Sequence, residues 1–324
     1  MKSWSCAVTL SLFLAGGAQV AAAATPSWAE RPVRFVVPTA AGGSADTLAR
    51  PLADVLGQQI GQTVVVENKG GAGGVLGASV VAASSPADNL LLFGAVHHTI
   101  APAVQKNFPY DPRKSLKPVT LIAAMPNVLV VNAASPYRSV DDLLAAARKG
   151  KGVNYGTSGV GTMLHLMAGK LEKLSGTTMT PVHYKGSAPA VMALIGGEQI
   201  DFVFETMPSA VAQIRNGRLR ALAVSSPERA QALPDVPTLK ELGLGELSAQ
   251  TWYGIFMQGG VPDSTVQSVA EAVHQALKTE KIQAVWQENG AQVRANSPAE
   301  FTAYVDQELT YWADTVKALG LNSF

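Results

Sequence analysis

Short apolar runs alternate along the chain with longer stretches of helical period. The runs fall at Val33–Val37, 64–67, 90–93, 119–123, 128–132, 153–155, 181–184, 202–204, Leu219–Val224 and 254–258, and each reads as a buried strand. The stretch 139–148 opens with Ser139-x-x-Asp142, a variant capping box, and continues through Leu143, Leu144 and three alanines. Residues 162–175 carry Leu164, Met167, Ala168, Leu171 and Leu174 on one stripe, and Gly176 fits the stop. The segment 298–319 places Phe301, Val305, Leu309, Trp312 and Val316 at three- and four-residue spacing, which predicts a long amphipathic helix.

Strands that alternate with helices predict an α/β fold, its sheets mostly parallel and flanked by helices. A chain of 324 residues has room for two such units. The segments 124–132 and Gln250–Gln258 are extended and lie between helical stretches, so they are candidates for two strands crossing between the units. Right-handed crossovers bring the loops after strands to one edge of each sheet, where ligands bind.

Several of those loops have candidate chemistry. Residues 38–46 read Pro-Thr-Ala-Ala-Gly-Gly-Ser-Ala-Asp, directly between a strand and a helix. Gly42 and Gly43 allow close backbone approach, and a helix start offers free N–H groups to an anion. Ser44 or Asp46 fits as a cap, so an ordinary capped turn and an anion site both match the pattern. Pro51, one turn inside, predicts a tight or kinked helix. A second glycine run, 69–77, lacks the Gly-Lys-Ser/Thr of a phosphate loop and the third glycine of a dinucleotide fingerprint, and reads as a structural turn. The third loop, 155–165, brings Thr157, Ser158, Gly161 and Thr162 to another helix start. It is not a nucleophile elbow, since Ser158 lacks the Gly-x-Ser-x-Gly context. His165, in the first turn of that helix, is expected neutral and able to donate one hydrogen bond. His97 and His98 follow a strand on the loop side, and without a carboxylate cluster around them they do not read as a metal site. Lys185, Glu205 and Thr206 also sit between strands and helices and could line the same cleft, and Thr39 belongs to the first loop.

Composition narrows the picture. The formal net charge of +1 leaves no basic face for a nucleic acid. The chain opens with Met1-Lys2, an apolar run over 6–14, alanines at 21–24 and small-x-small sites ending at Ala24 and at Ala29. Residues 1–29 are therefore expected to be a cleavable signal peptide that sends the protein to the periplasm. The single cysteine, Cys6, leaves with it, which removes thiol and disulfide chemistry. No Ser/His/Asp set and no carboxylate pair is legible, so no catalytic residue, no cofactor and no metal is expected.

Joined in order, these residues resemble the Bug family, the periplasmic solute-binding proteins of tripartite tricarboxylate transporters. The resemblance runs through Arg31-Pro32-Val33 and Gly42-Gly43-Ser44-Ala45-Asp46, Val66-Glu67-Asn68-Lys69, Phe108-Pro109-Tyr110-Asp111-Pro112, Tyr155-Gly156-Thr157-Ser158-Gly159-Val160-Gly161-Thr162, Tyr184-Lys185-Gly186-Ser187, Leu233-Pro234-Asp235-Val236-Pro237-Thr238 and Trp252-Tyr253-Gly254. It implies a two-domain Venus-flytrap fold with two crossing strands as hinge. Domain 1 would combine 30–130 with 255–324, and domain 2 would be 131–254. It also implies a ligand carboxylate held by the loops at 38–46 and 157–162, with Gly42, Gly43, Asp46, Thr157, Ser158, Gly161 and Thr162 as the positions carried over most directly. Di- and tricarboxylates, acidic amino acids and aromatic carboxylates are the implied ligand classes. The implied partners are the membrane permease subunits or a sensor protein, and a monomer is expected. The chain departs from the family at Asp88-Asn89-Leu90, where Asp-Gly-Tyr is usual, and this questions the local turn. A secreted α/β enzyme acting on a carboxylate is the rival reading, and it would need a base–nucleophile pair.

Overall fold

A computed structural model describes residues 26–318 and 320. The first 25 residues of the expected signal peptide lie outside the described residues. The last four, 26–29, pack onto the fold: Ala29 is fully buried and the Trp28 indole donates to Ser268 Oγ at 3.1 Å.

The chain begins with β1 (Val33–Val37), α1 (Ser44–Ile60), β2 (Val64–Asn68), α2 (Val75–Ala82), β3 (Leu90–Ala95) and α3 (His97–Val104). β1 lies between β2 and β3 and runs parallel to both. The turn into β3 keeps its shape without glycine. Asn89 takes the left-handed conformation (φ 55°), and its side-chain amide donates to the Arg31 carbonyl at 3.0 Å.

β4 follows as one strand of 17 residues, Leu116–Asn132, about 55 Å long at the usual rise. The predicted runs at 119–123 and 128–132 merge through 124–127. Then come α4 (Val140–Arg148), β5 (Asn154–Thr157), α5 (Met163–Ser175), β6 (Thr180–His183), α6 (Ser187–Gly196), β7 (Phe202–Thr206), α7 (Met207–Arg215) and β8 (Leu219–Val224). The chain returns through β9 (Gln250–Gln258) and ends with α8 (Asp263–Leu277), α9 (Glu280–Glu288), β10 (Gln292–Val293) and α10 (Pro298–Ala318). The predicted capping box opens α4: Ser139 Oγ accepts from the Asp142 N–H at 3.1 Å, and the Asp142 carboxylate accepts from the Ser139 N–H at 3.0 Å.

β2, β1 and β3 in the first half and β6, β5 and β7 in the second are parallel, as the strand–helix alternation predicts, while the outer strands β10 and β8 pair antiparallel with β4. The long central strands are antiparallel. β9 inserts between β3 and β4, and its ladder with β4 runs from Leu116↔Gln258 to Pro126↔Gln250. From Asn127 onward β4 pairs instead with β7 and β8, while β5 lies parallel to β7 and β6. At this handover Asn127 is fully buried. Its side chain accepts from Thr251 Oγ1 (2.7 Å), and its backbone N–H donates to Ser225 Oγ (2.8 Å). A buried amide of this kind needs such partners, and here they tie β4, β8 and β9 together at one point.

Phe35, Phe93, Leu48, Leu52 and Trp286 fill the core between the first half-sheet and α1, α8 and α9. On the opposite side α10 buries the predicted stripe of Phe301, Val305, Leu309, Trp312 and Val316. That stripe joins a continuous core reaching Leu143, Met167 and Phe202 in the second half. α1 runs unbroken past Pro51, which leaves the Thr47 carbonyl without its usual helical donor. Among the described residues no helix is long and apolar enough to cross a membrane.

Candidate functional site

A cavity of about 960 Å³ lies between the two halves of the sheet, where the helix-initiating loops of both converge. From the first half come residues 38–41 and 43–45, the glycine run 70–74 and His97. From the second half come 158–160, 162–164, 184–189, Glu205 and Thr206, and Thr251 and Tyr253 of β9 close the inner wall.

The first loop is built around Asp46. Its carboxylate accepts from the Gly42 N–H (2.9 Å), Asn68 Nδ2 (2.9 Å) and Arg50 Nε (2.9 Å). Burial works to raise this carboxyl, but the hydrogen bonds from Arg50, Gly42 and Asn68 and the Arg50 charge outweigh it and hold the group below its usual range. Gly43, not Ser44 or Asp46, occupies the cap position of α1. The first-turn N–H groups of Ser44 and Ala45 have no intrahelical acceptor, and both residues line the cavity.

The third loop is held in a different way. His165 Nδ1 accepts from the Gly161 N–H at 3.0 Å, so its proton sits on Nε2. Burial, helped by neighbouring His183, pushes this imidazole down to about 4, and the expected neutral ring follows. The loop hydroxyls bond within the loop or to its neighbour strand. Thr162 Oγ1 donates to the Gly159 carbonyl (2.8 Å), Ser158 Oγ donates to Thr162 Oγ1 (3.1 Å), and Thr157 Oγ1 shares a hydrogen with His183 Nδ1 (2.8 Å). What this loop turns toward the cavity is the start of α5, with the first-turn N–H groups of Met163 and Leu164.

Eight of the thirteen residues singled out from the sequence therefore line the cavity: Thr39, Gly43, His97, Ser158, Thr162, Lys185, Glu205 and Thr206. Gly42, Asp46, Thr157, Gly161 and His165 lie behind its wall and shape it. His97 is not in a loop, as expected, but opens α3, because Val96 already has helical dihedrals. Its ring lies against Gly74, where an added Cβ would sit 2.2 Å from His97 Nε2. Burial pushes this imidazole down to about 4, and His97 Nε2 and Thr39 Oγ1 are buried polar atoms with no protein partner. The glycine run read as a mere turn is part of the wall: positions 71–74 all have positive φ. That density of glycine is the signal that marks it.

The two halves touch across the cavity. Ser44 Oγ of α1 lies 2.5 Å from both Thr206 Oγ1 and Ser209 Oγ of α7. Gly161 meets Val104 of α3, which a Cβ at 161 would approach to 2.4 Å. Among the described residues there is no group of three or more His, Cys, Asp or Glu able to hold a metal.

Two half-sheets joined by two crossing strands, with a cavity lined by helix starts between them, define a periplasmic-binding-protein fold. The family model described as tripartite tricarboxylate transporter family receptor (TctC) matches residues 48–321. The chain belongs to this family of solute-binding receptors. It is 31% identical over 314 residues to Protein BugT of Bordetella pertussis, covering 96% of each chain. Among solved structures it resembles Rpa4515 of R. palustris with adipate (TM-score 0.87, 30% identity, 92% of this chain and 100% of that one). It also resembles MatC (Rpa3494) of Rhodopseudomonas palustris with bound malate (TM-score 0.83, 30% identity, 89% and 99%).

Proposed function

We propose that the protein captures a small organic carboxylate between its two halves and delivers it to the permease of a tripartite tricarboxylate transporter. The observation that carries this reading is the convergence of the starts of α1 and α5 from opposite halves on one cavity. Their free N–H groups and dipole ends suit an anion, and Lys185, the one cation in the lining among the described residues, is exposed. The adipate and malate held by the two R. palustris proteins support the carboxylate class. In this reading residues 30–130 with 255–324 form one domain and 131–254 the other, with β4 and β9 between them as hinge. Closure removes water from the carboxylate and strengthens its hydrogen bonds.

Thr39, Gly43, Ser158, Thr162 and His97 contact the solute, while Gly42, Asp46, Thr157, Gly161 and His165 hold the loops that do. The receptor works in the periplasm after removal of its leader. Cleavage after Ala24 rather than Ala29 keeps Trp28 and Ala29 in their packed positions. Service to a sensor protein would use the same closed form.

A thermal-shift screen of mono-, di- and tricarboxylates, acidic amino acids and aromatic acids tests the class, because a bound solute raises the melting temperature by mass action. Gly43→Val tests the site. Gly43 has φ −80°, and an added Cβ meets only the Ala40 carbonyl at 3.5 Å, so neither the backbone nor the first side-chain carbon is strained. The variant is expected to keep the melting temperature of the empty protein and lose binding by more than about tenfold, the effect of losing one well-placed hydrogen bond to a charge. Undiminished affinity by calorimetry would remove the α1 start from the site.

A further inference from the structure

Glu205, at the end of β7, is 1% exposed and lines the cavity. Its Oε1 accepts from the Thr206 N–H (2.8 Å) and Thr206 Oγ1 (2.9 Å), and the Ser187 and Ser209 hydroxyls lie near enough to favour its charged form. All of these donors are neutral. Among the described residues no Lys or Arg nitrogen lies within 4.0 Å of it. The other titratable groups of the cavity are Tyr253 of β9, beside Glu205, and His97, Tyr184 and exposed Lys185 in the same lining. A buried carboxyl without a cation is costly unless something else supplies the positive partner. Here the remaining face of the group opens into the solute cavity.

We propose that Glu205 is the specificity-determining residue of this cavity, accepting a hydrogen bond from an ammonium or amide nitrogen at the solute's end remote from its carboxylate. The proposal rests on the carboxylate reading above and narrows it. The preferred solute carries one carboxylate for the helix starts and one nitrogen donor for Glu205. A second carboxylate at that end would face a like charge in a site with little water, and it binds only when a proton is shared between the two. Burial raises the empty site's carboxyl to about 7, against the hydrogen bonds from Thr206, Ser187 and Ser209, so the two solute classes must show opposite pH dependence. A nitrogen donor favours ionised Glu205 and loses affinity as pH falls through 7. A dicarboxylate favours protonated Glu205 and loses affinity as pH rises through 7.

The test uses matched solutes that differ only at one end: glutarate, glutaramate and 4-aminobutyrate, with shorter and longer homologues of each. Calorimetric affinities are measured at pH 5.5 and pH 8 for the natural protein and Glu205→Gln. In the natural protein at pH 8 the ammonium or amide member should bind about tenfold or more tightly than its dicarboxylate partner. Glu205→Gln should abolish that preference and the opposite pH trends, while the melting temperature of the empty protein reports that it still folds. A dicarboxylate preferred at pH 8, or a preference and pH trend unchanged by Glu205→Gln, overturns the assignment and leaves the carboxylate reading standing. Failure of every member to bind at both pH values overturns both, since the assignment presupposes the carboxylate.

Discussion

Gly161 offers the sharpest test of closure, because two different costs meet there and can be separated. Its φ of +71° is in the left-handed region, and its Cα faces Val104 on the opposite half. In Gly161→Ala the left-handed backbone costs about 1–2 kcal/mol wherever the loop keeps its shape. That penalty belongs to open and closed forms alike and lowers the stability of the empty protein. The second cost arises only in a form where the halves meet as they do in this structure, which is the form we take to hold the solute. The new methyl would sit 2.4 Å from Val104 Cγ2 and 3.0 Å from its Cβ, too close without a shift of one half against the other. Overpacking of this kind costs about 1–3 kcal/mol, which weakens a solute that binds by closure by roughly 5- to 150-fold. Adding Val104→Ala removes the colliding methyls and relieves the second cost alone. A cycle of the two single variants and the double is measured by calorimetry for affinity and by thermal unfolding of the empty protein. The double variant should recover affinity while keeping the lowered melting temperature. Unchanged affinity in Gly161→Ala, or no recovery in the double, would refute the argument that this contact forms on closing.

Two further outcomes concern the groups behind the wall. Asp46→Ala leaves the Gly42 N–H without its acceptor and Asn68 with only the Thr39 carbonyl, and should cost about 1–3 kcal/mol, seen in urea unfolding. Because the Asp46 carboxyl is held below its unfolded value near 3.9, its contribution is present above that pH and lost as pH falls through the folded value; Asp46→Asn should lack this acid step. His97 and His165, both pushed to about 4, and His98, pushed well below 6.5, act the other way from paired histidines. The unfolded chain takes up their protons near pH 6.5, so stability is full above that pH and falls toward pH 4, by up to about 1.4 kcal/mol per unit for each ring. Glu205, with its carboxyl raised, opposes this with one proton, but His183 and His274, also pushed down chiefly by burial, add to the histidine side, and the net should be a lower urea midpoint at pH 5 than at pH 7.5. His165→Gln should flatten the trend, and an unchanged slope would argue against a buried neutral ring.

The elements of this fold are legible where one face of a segment decides its fate. The stripe from Phe301 to Val316 and the cap at Ser139 are local signals, and both stand in the structure. So does the passage from strand to glycine loop to helix around Gly42 and Gly43. What could not be read locally depends on distant partners. The hydroxyls of Thr157 and Thr162 resemble ligand groups in sequence, yet His183 and the Gly159 carbonyl engage them. The Gly161 N–H looked free for a solute, but a histidine four residues on accepts it. The burial of Glu205 follows from β4, β7 and β9 meeting, a convergence that spans more than a hundred residues of chain. His97 looked like a loop residue because a step of one residue, Val96, from strand to helix leaves no turn signature.

The insertion of β9 between β3 and β4 also sets an order of assembly. β3 pairs at Leu92 with Phe256, so the first half-sheet has an open edge until the chain beyond residue 250 is available. The second half draws its strands from the continuous stretch after Asn127 and needs no such late arrival, apart from its join to β9. Pairings this distant are slow to form, since the intervening chain must be closed into a loop before any contact rewards it. The N-terminal half is thus the part that stays unfinished longest, although it is synthesised first. For the export proposed above such a delay is useful: the leading segments cannot lock into a finished sheet while the tail is still being made.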